Sequence, residues 1–193
     1  MILQFQQIIN AFLAYIDSGR IFREPFKWLY MLASFSSALF PIIIIFLAFK
    51  HGLFEGPFKI VLAFLLIWMF MLVAGAVGCL IWWDRKDKVS NLTTGEQEFV
   101  ASPVFAHYIQ TAGEVFAIYM AVVGTGISLI SGVFLSGDGY ELNSVLPFNP
   151  SIGFLGVFAF PVLGYLILVF TRFIAEQIKA LATIANNTRK TGY

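Results

Sequence analysis

Four stretches of this chain carry no Asp, Glu, Lys or Arg: Trp28–Phe49, Ile60–Trp83, Val115–Leu135 and Ile152–Phe170. Each is close to the roughly 20 apolar residues that a helix needs to cross a hydrocarbon core of about 30 Å. A backbone in that core must satisfy its own N–H and C=O groups, which leaves helices as the solution for runs of this length. The sequence therefore predicts an all-α integral membrane protein with four transmembrane helices. Composition agrees: 12% of residues are charged, against about 25% in a soluble domain, and mean hydropathy is +0.84.

The fourth run has no stop signal. After Phe170 the apolar pattern changes into a helical one, with Arg172, Glu176 and Lys179 on one side and Ile174, Ile178, Leu181 and Ala185 on another. Asn186, Asn187 and Thr188 form the end signal. The reading is one long helix whose span, 152–171, extends into the cytoplasm over 172–188. At the other terminus, residues 1–18 read as an amphipathic helix. Ile2, Phe5, Ile9, Leu13 and Ile16 can share a face, while Gln4, Gln7, Asn10 and Asp17 are polar. It is too interrupted to span and suits the membrane interface. Gly19 and the charged stretch Arg20–Lys27 then read as a connection. The N-terminal stretch has no basic residue before its apolar part, so a secretory signal peptide is not expected. All of this is one membrane domain, 1–193.

Basic residues set the orientation. Arg20, Arg23, Lys27, Arg85, Lys86, Lys88, Arg172, Lys179, Arg189 and Lys190 fall on one side of the four spans. Only Lys50 and Lys59 of the twelve fall on the other. The excess of Lys and Arg marks the cytoplasmic side, so both termini are expected there. A net charge of +1 gives no whole-chain attraction for nucleic acid.

Small residues point to helix packing. Gly75 and Gly78 with Ala74 and Cys79 make small-xxx-small pairs in the second span. A stripe of His107, Gln110, Glu114, Ala117, Ala121, Gly124, Ser128 and Ser131 follows helical spacing through the third. Pro41 should kink the first span, with Ser34 and Ser37 placed to help the carbonyls it frees. Ser102-Pro103 reads as a helix start.

Glu114 is the sharpest chemical candidate, because an unpaired charge deep in the bilayer costs roughly 2.5–3.5 kcal/mol on insertion scales. Three roles are open. Glu114 with His107 can form a proton or ligand site, Glu114 can pair structurally with Arg172 at a similar membrane level, or it can be a solvated carboxylate at the interface. Arg172 can instead pair with Glu176 one turn along. No cofactor or metal motif is present: Gly124-Thr125-Gly126 lies inside a span rather than after a strand, and His51 and His107 fall on opposite sides. Asn91-Leu92-Thr93 fits a glycosylation triplet but falls on the cytoplasmic side. Cys79 is the only cysteine, so an intramolecular disulfide cannot form.

The last third, Ala121–Lys190, resembles a family of small bacterial membrane proteins of unknown function, on Gly124, Gly126 and Gly132 in one span, the tail Arg172–Glu176, and its end Ile184–Arg189. The shared pattern is two spans, a Gly-containing connection and a helical tail. The resemblance implies a bacterial inner membrane and no particular activity. Without clustered catalytic groups an enzyme is not expected. The sequence favours a non-catalytic accessory or scaffold subunit, meeting lipid and either protein partners or its own copies through the small-residue faces and the 172–188 helix. The alternative is a small ion or solute transporter or channel acting as an oligomer.

Overall fold

A computed structural model describes residues 5–7, 9–10, 13, 20–90, 101–134 and 153–190. It holds four long helices, named here α1 (Arg20–Lys50), α2 (Phe58–Ser90), α3 (Ala101–Phe134) and α4 (Gly153–Lys190), and a short 3-10 turn at Leu53–Glu55. There is no strand among the described residues. All four helices are long and apolar enough to cross a membrane. α4, with 38 residues, reaches about 57 Å at 1.5 Å per residue.

The helices outrun the apolar runs because nothing at their edges breaks them. α1 begins at Arg20, so the charged stretch read as a connection is its first two turns. Pro25 lies in the second turn of this helix, where it has no N–H to give the carbonyl four residues back. α2 continues past Trp83 through Asp84–Ser90. There Lys88 Nζ donates to Asp84 Oδ2 at 2.6 Å one turn back, and the Lys86 ammonium lies 3.0 Å from the Trp83 ring centroid. α1 ends at a left-handed Gly52, φ 68°, whose N–H donates to Phe49 O at 3.1 Å. Asn91, Asp138 and Glu141 lie outside the described residues, as does most of the N-terminal stretch. Its described residues, among them Phe5, Ile9 and Leu13, are helical and exposed.

Contacts along each pair show antiparallel neighbours. α1 meets α2 through Tyr30 and Trp82, Ser34 and Cys79, and Pro41 and Trp68. α3 meets α4 through Gly113 and Thr171, Gly124 and Phe160, and Gly132 and Phe154. α3 is the central element. α2 and part of α1 pack on one side of it and α4 on the other, and α4 has no comparable packing against α1 or α2.

Small residues set these distances. A Cβ on Gly75 would stand 2.8 Å from Ser37 O and 2.9 Å from Pro41 Cγ, so α2 approaches α1 at the proline itself. Gly78 faces Val115 and Tyr119 of α3, Gly126 faces Phe70 of α2, and Gly124 faces Phe160 of α4. Ser128 is buried in the same helix, and its carbonyl accepts from Ser131 Oγ at 3.3 Å. The small-residue faces that the sequence offers to partners are thus filled within the chain. Ser34 does not serve the proline either: its hydroxyl donates to Cys79 O at 2.9 Å.

Candidate functional site

One end of the molecule gathers the start of α1, the end of α2, the start of α3 and the end of α4, and with them Lys27, Arg85, Lys86, Lys88, Arg172 and Lys179. At this basic end an aromatic core comes first. Tyr30 is fully buried, edge-on to Trp82 at 5.0 Å and to Tyr108 at 5.9 Å, and Phe26 is edge-on to Tyr108 at 5.7 Å. Edge-to-face pairs add to the burial of these rings, and each polar tip needs a partner once dry.

The partners form one connected chain across all four helices. Tyr30 Oη is 2.7 Å from His107 Nδ1 and 3.3 Å from Thr111 Oγ1. Thr111 donates its single proton to His107 O at 2.8 Å, so its oxygen is left to accept. Arg85 Nη1 donates to it at 3.2 Å. The other nitrogen, Arg85 Nη2, pairs with Glu114 Oε2. Glu114 Oε1 accepts from Gln110 Nε2 at 3.1 Å. Gln110 Oε1 accepts from Lys179 Nζ at 3.3 Å. The Tyr30 proton has two consistent positions. With His107 protonated on Nε2 alone, Tyr30 donates to Nδ1; with a proton on Nδ1, that N–H donates to Tyr30 and the phenol donates to Thr111.

Glu114 is therefore neither unpaired nor partnered by Arg172. Its cation is Arg85, and the two side chains are 15% and 22% exposed. Arg172 instead faces outward and meets Glu176 at 3.7 Å, both exposed. The reason lies in the register of α4. Thr171 and Ala175 are the residues turned to α3, and Arg172 is rotated by about 100° from Thr171. His107 and Glu114 do lie in one cluster, joined through Tyr30, Thr111 and Arg85 rather than directly. Glu176 lies outside it. Sequence reasoning used Arg85 for orientation and Lys179 for orientation and the polar side of the tail, and passed over Tyr30 and Thr111. The signal for Arg85 was present, since it follows the second span by two residues and Glu114 precedes the third by one, which places them at one level in an antiparallel pair.

Both oxygens of Glu114 and both terminal nitrogens of Arg85 are engaged within the chain, so the cluster acts as a brace between helices. Among the described residues no group of three or more His, Cys, Asp or Glu is placed to hold a metal. The fold and this brace define the class: a polytopic, all-helical chain of two antiparallel hairpins cross-linked by a polar network at the basic end. Compared with protein families, with curated proteins and with solved structures, the chain matches none.

Proposed function

We propose that this protein is a non-catalytic accessory or scaffold subunit of a membrane assembly, docking its partner through the extension of α4. The observation that carries the reading is the exposure of Leu181 (66%) and Ile184 (61%). They stand on the order of 12–16 Å beyond Phe173 along the helix axis, past the end of the apolar run. A hydrocarbon core of about 30 Å that takes in the apolar run 152–170 would end short of these two. An apolar face held outside the bilayer suits a second protein surface. The inward side of the extension, at Ala175 and Ala182, is already buried, so the outward side is the one on offer. The saturated Glu114 and Arg85 pair supports a bracing role over a transport role.

We further place the protein in a bacterial inner membrane with the basic end cytoplasmic. The distribution of Lys and Arg supports the orientation, and four helices long and apolar enough to cross a membrane support a multi-pass protein.

The test is gentle extraction followed by mass measurement, comparing the wild type with Leu181→Gln/Ile184→Gln. The wild type is expected to run heavier than its 21.6 kDa chain with co-purifying chains, and the double variant as a monomer. A monomeric wild type whose reconstituted vesicles pass a solute, with flux abolished by Glu114→Ala, would replace this reading with the transporter.

A further inference from the structure

Two apolar helix faces stand open at the basic end of one chain. The first is the outward side of the α4 extension. Phe173, Leu181 and Ile184 are exposed there. At about 100° per residue they share a sector of about 80° and run roughly 16 Å along the axis. The second belongs to residues 1–18, which adjoin α1 where it begins at Arg20. Phe5, Ile9 and Leu13 are helical and exposed. They too share a sector of about 80°, and run roughly 12 Å. Both faces are open at once, so the two do not cover each other within a chain. α3 stands between α1 and α4, which have no comparable packing of their own.

Lipid and protein compete to cover Phe5, Ile9 and Leu13. A helix that lies on a membrane surface is held by Lys and Arg on its polar face as well as by its apolar face. Residues 1–18 contain no Lys or Arg, and their one charged side chain is Asp17. The α4 extension has the opposite balance, with Arg172, Lys179, Arg189 and Lys190 against Glu176. The N-terminal helix is therefore acidic where the α4 extension is basic. Its anchors recur at i, i+4 and i+8, the form in which an amphipathic helix docks on an apolar protein surface.

We propose that residues 1–18 of one copy dock on the α4 extension of a second copy, with Phe5, Ile9 and Leu13 against Phe173, Leu181 and Ile184. The second copy returns the contact. A two-fold pair makes every contact twice, so one arrangement covers both open faces in both chains. The inference rests on the reading of the α4 extension as a protein-docking face, and it names the occupant.

The test uses full chains in a Cys79→Ala background, co-expressed in one membrane with two different tags. One copy carries Ile9→Cys and the other Leu181→Cys. Oxidation is expected to join the two tags in a species of twice the 21.6 kDa chain mass. Gln7→Cys in place of Ile9→Cys turns the thiol about 160° away, and should link several-fold less. Mass measurement after gentle extraction is the second arm. Ile9→Gln/Leu13→Gln should lose the second copy, as should Leu181→Gln/Ile184→Gln. Unchanged mass in the first variant with loss in the second gives the α4 face to a different partner. That outcome overturns this inference and leaves the accessory-subunit reading standing. Unchanged mass in both overturns both. Equal linking from Gln7→Cys and Ile9→Cys overturns the pairing, as does a disulfide that forms only within a chain carrying both cysteines. Circular dichroism of each variant, with helix content equal to wild type, separates loss of pairing from loss of fold.

Discussion

The Tyr119 hydroxyl of α3 donates to the carbonyl of Ser37 in α1 at 3.2 Å. That carbonyl is the one Pro41 deprives of its helical partner, because proline at i+4 has no N–H to give. A defect written into one helix is thus repaired by a side chain two helices later in the chain. Tyr119→Phe should destabilise the protein by about 1 kcal/mol, the usual net worth of one hydrogen bond. In a Pro41→Ala background the helix supplies its own donor, so the same change should cost less. A double-mutant cycle on unfolding in mixed micelles reads the coupling, and a coupling of zero would show that the bond is incidental.

Removing one partner of the Arg85 and Glu114 pair leaves the other charge half-buried. Arg85→Met or Glu114→Gln alone should each cost roughly 3 kcal/mol, and the double variant less than the two together. Arg172→Gln, at an exposed pair, should change stability by less than about 0.5 kcal/mol. Chemical unfolding of the three single variants ranks them. A large effect at Arg172 would show that the pairing in solution differs from the one described here.

Gly164 tests the α3–α4 seam. A Cβ there would stand 2.7 Å from the backbone oxygen of Ala117 and 2.9 Å from Ala121 Cβ, whereas at Gly132 the nearest atom is 3.5 Å away. Gly164→Ala should therefore destabilise by roughly 1–3 kcal/mol, through overpacking against a backbone that cannot rotate aside, and Gly132→Ala should be close to neutral. Thermal aggregation midpoints in detergent are a sufficient readout.

The basic end is expected to face the cytoplasm. In a Cys79→Ala background, a cysteine at Gly56 should react with an impermeant maleimide in intact cells, and one at Asn91 only after permeabilisation. The opposite pattern inverts the orientation.

Much of this architecture is written plainly in the chain. Runs without charge fix the number of spans, since a single Lys at the centre of Ile60–Trp83 would be costly and none occurs. The ends of the helices are less legible, because Asp84–Ser90 is as good a helix as a loop until Lys88 meets Asp84. Pairing is less legible still. Arg85, Arg172 and Lys179 are all cations at the basic end, and a sequence carries no measure of which way each turns. That depends on whether Thr171 or Arg172 is the residue pressed against Gly113, a difference of one position in the register of α4. The repair of Pro41 was out of reach for the same reason: Tyr119 is a candidate donor only once Gly75 and Gly78 have drawn three helices together.

The central position of α3 has a consequence for how the chain can be divided. α1 with α2, and α3 with α4, are hairpins that each bury their own seam, and the halves meet chiefly where α2 lies along α3. That meeting surface holds Trp82, Tyr108, the Gly126 and Phe70 contact and the Arg85 and Glu114 pair. Each half thus carries one face of a ready-made joint. Polypeptides 1–95 and 96–193, made separately in one membrane, should find each other and co-purify, and Arg85→Met should part them. That outcome would make the molecule a pair of two-helix pieces that share a peptide chain.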